Sequence, residues 1–166
     1  MRTSPGDRVE KQDQLTQVLG SIPNAACPLP GVATAGQPSA AAWPRLAEAG
    51  YRTVVDLRAP EEPRGHDEPA SVRAAGMAYV AIPVSHPTLG DAEFDSFREV
   101  VRAPERRPIF VHCATSNRVG ALLLPYFALD QEMPLSDATR LAHAAGLRNP
   151  DLQNIAVDYA RRHGAR

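Results

Sequence analysis

The chain has 166 residues, enough for one domain with a proper core and too few for two. Apolar residues make up 43% and charged residues 22%, an ordinary balance for a soluble globular protein, and the formal net charge of −1 excludes a global pull toward nucleic acid or anionic membrane. Two cysteines, Cys27 and Cys113, exclude a disulfide framework, and no Cys/His spacing of metal-ligand type appears. The opening MRTSPGDRVEKQDQLTQVLG lacks the apolar core of a signal peptide, and no window reaches membrane-span length. The cytoplasm is therefore the expected compartment, where a thiol stays reduced.

In chain order, Met1–Lys11 reads as polar and frayed, and DQLTQVLGSI as a short helix. The turn-rich NAACPLPGVATAGQPS holds a short strand at Gly31–Ala35. Ser39 is placed to cap a helix running to Ala49, with Pro44 sitting uncomfortably in its first turn and Gly50 ending it. TVVDL (53–57) is a β-branched buried strand; Pro69–Ala75 is a short helix closed by Gly76; Met77–Ile82 is the next strand. Asp91 is placed to cap a helix over 92–101, with Phe94, Phe97 and Val101 on one face. Pro108–His112 is a third strand, and from Arg118 the apolar positions Val119, Leu122, Leu123, Tyr126 and Phe127 switch to helical spacing. Helices over 136–145 and 151–162 follow. Strands alternating with helices predict a single α/β domain, a mostly parallel sheet with helices on both faces. Residues 1–28 read as an N-terminal extension to a domain over 29–166.

The chemistry gathers at VHCATSNRVG (111–120). A strand, a short polar loop and a helix make an anion cradle, because loop amides and the first helical N–H groups point inward where the helix dipole favours negative charge. That field favours the thiolate of Cys113, the nucleophilic form. Arg118 adds a planar fork suited to two oxygens of a phosphate or sulfate. Ala114, Thr115, Ser116 and Asn117 are small enough for a tight loop, and His112 is placed to hold the cysteine geometry.

The HC…R arrangement resembles the signature of the cysteine-dependent phosphatases of the protein tyrosine and dual-specificity superfamily. With ATAGQPS (33–39), TVVDLR (53–58) and AYVAIPV (78–84), the chain resembles a small bacterial phosphatase-like family, some of whose members are fused to metallo-β-lactamase-like domains or labelled sulfurtransferases. The resemblance covers roughly residues 29–148. It implies that the cysteine attacks phosphorus, that loop amides and arginine hold the phosphoryl oxygens, and that an aspartate protonates the leaving group. Three departures stand out. Four residues separate Cys113 from Arg118 where the usual loop has five; no glycine lies inside the loop; and Val119 replaces the usual hydroxyl residue after the arginine. A loop of four is the size found in rhodanese-like sulfurtransferases, and VVDLRAPEEPRGH (54–66) also resembles a rhodanese segment, although DEPASVRAAGM then follows the phosphatase-like connection.

The expected acid position falls at Ser85 or His86, neither an aspartate; His86 can supply a proton, and Asp91 lies later in the same loop. Asp56 and Arg58, at the end of a central strand, are placed to frame the pocket. Glu61 and Glu62 read as a solvated turn. The expected function is hydrolysis of a phosphate monoester through a phosphocysteine at Cys113, on a phosphorylated small molecule or protein, with no metal or cofactor and no nucleic-acid or membrane partner. A persulfide-carrying sulfurtransferase and a non-catalytic phosphate-binding module are the alternatives.

Overall fold

The computed structural model describes residues 4–166. Seven helices and five strands lie among them: α1 (Pro5–Gly20), β1 (Ala26–Leu29), β2 (Val32–Ala35), α2 (Ala42–Glu48), β3 (Thr53–Asp56), α3 (Glu68–Ala74), β4 (Ala78–Ala81), α4 (Asp91–Arg102), β5 (Ile109–His112), α5 (Asn117–Pro125), α6 (Leu135–Ala144) and α7 (Pro150–Arg162). The sheet order is β1-β2-β5-β3-β4, parallel except for the β1–β2 pair. Strand β5 is central, and at its carboxyl end His112 stands level with Ala35 of β2 on one side and Asp56 of β3 on the other. The reactive loop thus leaves the middle of a parallel sheet at its carboxyl edge, where such sheets gather ligands.

Alternation along the strands feeds two cores. Val55, Ile109 and Val111 face one core, with Phe94, Phe97 and Val101 of α4, Leu122 and Leu123 of α5, Ala142 of α6 and Tyr159 of α7. Val54 and Phe110 face the other, with Leu15 and Val18 of α1, Trp43 and Leu46 of α2 and Val72 of α3. Helices therefore cover both faces, with α1 packed on the domain through Leu15, Val18 and Ile22. No helix among the described residues is long and apolar enough to cross a membrane.

Several element ends differ from the sequence reading. The first helix starts at Pro5 rather than near Asp13, because Ser4 and Asp7 form a reciprocal capping box around a proline in the first turn; the first three residues of the expected frayed stretch lie outside the described residues. Helix α2 begins at Ala42 without a side-chain cap, and Pro44 falls in its first turn, where a missing N–H costs nothing. Asp91 is the first residue of α4 and not its cap; Gly90 takes that place, its N–H donating to Glu93 at 2.9 Å. Gly120 fixes how α5 sits. A Cβ there would lie 2.6 Å from the Ala142 carbonyl oxygen and 2.7 Å from the Leu147 nitrogen, so only glycine lets α5 lie this close to the end of α6.

Candidate active site

Cys113 follows β5 directly and is 1% exposed. Its N–H donates to the Ala35 carbonyl at 3.4 Å, which prolongs the β2–β5 ladder by one step. Three of the loop's carbonyls are then taken up, two by residues flanking the β1–β2 pair in the chain and one by the first turn of α5. Ala114 O accepts from Gln37 N–H at 3.1 Å, Thr115 O from Asn24 Nδ2 at 3.2 Å, and Ser116 O from Gly120 N–H at 3.1 Å. A trans peptide points its N–H opposite its C=O, so the amides of Thr115, Ser116 and Asn117 are turned the other way, and among the described residues none of them has a protein acceptor.

The loop closes in four intervening residues because Ser116 adopts the left-handed conformation, φ 69°. A non-glycine residue there costs about 1–2 kcal/mol. The cost is met locally: buried Ser116 donates its hydroxyl to the Ala145 carbonyl at 2.6 Å, and Gly146 packs so tightly on it that a Cβ would come within 2.7 Å of the serine Cβ. Asn117 opens α5 and ties the loop to the α6–α7 turn, its Oδ1 accepting from the N–H groups of Arg148 and Asn149 at 2.9 and 3.1 Å. Gly36 is the matching close approach on the β2 side, since a Cβ there would stand 2.6 Å from the Ala114 oxygen.

Arg118 is held by Glu62. Nη1 and Nη2 donate to the two carboxylate oxygens at 2.7 and 2.8 Å, and Nη1 also donates to the Val84 carbonyl at 2.9 Å. A guanidinium has five N–H hydrogens. Three are spent on Glu62 and Val84, which leaves Nε–H and one Nη2–H, the side-on edge that grips two oxygens of an oxyanion. Hydrogen bonding to Glu62 holds the Arg118 guanidinium above the ordinary arginine value, with the nearby Cys113 sulfur adding to the pull against the cost of burial. Glu62 in turn is held at about 2, chiefly by the Arg118 hydrogen bond. Glu62 is therefore a clamp on the arginine rather than part of a solvated turn, and it stays ionised, which removes it as a proton donor. Its role was missed because nothing local in APEEPRG distinguishes one glutamate from its neighbour; only the fold brings residue 62 to residue 118.

From Glu62 a hydrogen-bonded chain runs back to the residue before the cysteine. Arg58 donates to Glu62 at 3.3 Å and to Gln37 Oε1 at 2.9 Å; Gln37 Nε2 donates to Glu68 at 2.8 Å; Glu68 accepts from His112 Nε2. His112 is wholly buried and belongs to this internal network. Asp56 also turns away from the loop, bonded to Arg64 Nε at 2.7 Å, to the Tyr79 hydroxyl and to Arg58 N–H at 2.9 Å. Burial works to raise the Asp56 carboxyl, and the Arg64 hydrogen bond, the neighbouring His112 ring and the Tyr79 hydroxyl outweigh it and hold it below the ordinary value. Asp56, Glu68 and His112 bring ligand-type atoms within 4.8 Å of one another. Each of these atoms already carries a hydrogen bond within the protein, and the Arg64 guanidinium lies beside the two carboxylates.

The structure thus gathers Cys113, residues 114–117 and Arg118 around one cradle and places His112, Asp56 and Arg58 behind it as support. The proton donors read from the sequence fare differently. Asp91 is ion-paired to Arg162 of α7 at 2.7 and 2.8 Å, an exposed contact that lowers its pKa and engages it away from the loop. His86 lies in a short 3₁₀ turn (His86–Thr88), exposed, and its ring takes no hydrogen-bond partner among the described residues.

A parallel α/β sheet with a cysteine at the end of its central strand, followed by an arginine-bearing helix, defines the class of the protein tyrosine and dual-specificity phosphatases. A family model described as DSP-PTPase phosphatase fused to NAD+ Kinase matches residues 31–156, and the chain belongs to that family. It is 35% identical over 107 residues to a beta-lactamase hydrolase-like protein of Agrobacterium fabrum, covering 62% of this chain and 25% of that one. The chain spans 25–27% of the length of the curated relatives it matches. Among solved structures, it is similar to a DUF442 protein of Shewanella putrefaciens CN-32, 23% identical with a TM-score of 0.77, covering 89% of this chain and 98% of that one. It is also similar to Pseudomonas aeruginosa TpbA in complex with pTyr, 21% identical with a TM-score of 0.63, covering 87% and 90% of the two chains.

Proposed function

We propose that the chain hydrolyses a phosphate monoester through a phosphocysteine, with residues 29–166 as the catalytic unit and residues 1–28 as an N-terminal extension that packs on it through Leu15, Val18 and Ile22. The observation that carries this reading is the set of loop amides without protein acceptors, behind occupied carbonyls, on the loop that ends at Arg118 with its Nε–H and one Nη2–H free. Such a cradle suits the equatorial oxygens of phosphorus in an in-line displacement. Cys113 Sγ forms the S–P bond as the ester oxygen departs with the electron pair of the P–O bond. His86 is the proposed donor of the proton that oxygen takes up, because Asp91 is engaged by Arg162 and Glu62 stays ionised. Water then attacks phosphorus, the S–P bond breaks, and phosphate leaves. Val119 is buried in the core and supplies no hydroxyl to help sulfur depart, so the second step is the slow one.

The test uses an aryl phosphate, whose leaving group hardly needs a proton, beside an alkyl phosphate, which needs one. His86→Ala is expected to spare the first and cut the second, and Cys113→Ser to abolish both. Slow dephosphorylation is expected to give a burst of aryl alcohol equal to the enzyme concentration before steady turnover. Thiocyanate formed from thiosulfate and cyanide, without phosphate release, would replace this reading by sulfur transfer. Phosphate protection of Cys113 from alkylation with no turnover of either kind would leave a binding module.

A further inference from the structure

Beside the reactive loop lies a cavity of about 320 Å³, lined by Asn24, Thr115, Asn117, Gly146 and Arg148 among others. It shares Thr115 and Asn117 with the loop. Its one charged wall is Arg148, an exposed arginine with no carboxylate partner among the described residues, whereas most arginines near the site are paired. Arg148 is nevertheless fastened in place. Nη1 spends its two hydrogens on the carbonyls of His143 and Leu147, at 2.6 and 2.7 Å, and the backbone N–H is bound by Asn117 Oδ1, one residue from Arg118. Of its five hydrogens, Nε–H and the two on Nη2 remain, a planar edge without a protein acceptor among the described residues, one hydrogen more than Arg118 keeps. A pre-positioned guanidinium loses little side-chain freedom on binding and takes phosphate or carboxylate bidentately.

We infer that this cavity is a second anion subsite, and that the substrate is a small organic molecule carrying a further phosphate or carboxylate a few bonds from the phosphate that is cleaved. The inference rests on the phosphatase reading of the loop and deepens it. A volume of about 320 Å³ is enough for an anionic group with a few carbons. Neutral Asn24, Thr115 and Asn117 supply polar walls without a repelling carboxylate.

The experiment compares straight-chain alkane bisphosphates of three to five carbons with the matching monophosphates, and a doubly phosphorylated peptide with its singly phosphorylated form. The readout is the ratio of kcat/KM for bisphosphate over monophosphate, so a general loss of activity cancels. Wild type is expected to favour one bisphosphate by about tenfold or more, as one charge-assisted contact allows. Arg148→Met, which keeps the apolar stem, is expected to bring the ratio to near one, and Arg148→Lys to retain part of it. A wild-type ratio near one, or a ratio unchanged in Arg148→Met, overturns the subsite. A preference seen only with the peptide overturns the small-molecule class. If no phosphate ester is turned over at all, the phosphatase reading fails by itself. The subsite is then read from protection of Cys113 against iodoacetamide, where the bisphosphate must protect about tenfold better than the monophosphate in wild type and equally in Arg148→Met; equal protection in wild type overturns it.

Discussion

Replacing Glu62 by glutamine tests whether the clamp on Arg118 is what prepares the cradle. The carboxylate sits at about 2 against an ordinary 4.5, chiefly because Arg118 hydrogen-bonds to it. At about 1.4 kcal/mol per tenfold, that depression corresponds to a ceiling of about 3 kcal/mol. The Glu62 side chain is 25% exposed, so solvent screening brings the expected loss in Glu62→Gln to about 1–2 kcal/mol at neutral pH. The folded value is lowered, so the contribution is fully present above pH 4.5 and is lost as pH falls from there toward 2. Urea unfolding of the two proteins between pH 7 and pH 3 checks this: the gap between them should narrow across that window. The functional half is read from phosphate protection of Cys113 against iodoacetamide. With Nη1 and Nη2 no longer held by a carboxylate, Arg118 should lose its orientation and phosphate affinity should fall by about tenfold. Equal or tighter phosphate binding in Glu62→Gln would refute the reasoning, since it would show Glu62 competing with the ligand for the arginine.

The chain linking His112 to Arg118 makes a sharper claim about Gln37, the one neutral link able to accept from Arg58 and donate to Glu68 at once. Gln37→Met should weaken phosphate protection of Cys113 severalfold, and a double-mutant cycle with Glu62→Gln should show the two effects to be less than additive; full additivity would mean the links act separately. Gly36→Ala places a methyl 2.6 Å from the Ala114 oxygen, so it should cost about 1–3 kcal/mol in thermal or urea unfolding and loosen anion binding. A neutral Gly36→Ala would show that the β2 turn does not shape the loop.

Much of the architecture was legible in the sequence because it is local. The apolar runs at 53–57 and 108–112 announce buried parallel strands, and the change to helical spacing after Arg118 marks where the loop ends. Phe94, Phe97 and Val101 fall on the buried face that their spacing predicts. Cys113 and Arg118 were legible for the same reason, being five positions apart with one strand and one helix to fix them. What the sequence alone could not determine is pairing between distant residues. Glu62 reaches Arg118 across 56 positions, and Glu68 reaches His112 across 44; neither separation leaves a periodic trace. Asp91 is a further case: its position late in the loop after β4 made it a candidate acid, and only the fold brings Arg162 of α7, 71 positions away, to pair with it. The loop without a glycine is resolved the same way. Ser116 holds a left-handed backbone because Ala145 and Gly146, 29 and 30 positions on, offer it a carbonyl and the space of a missing side chain. Backbone periodicity is written along the chain, whereas the partner of a charge or of a strained residue is chosen by whatever the fold brings within a few ångströms.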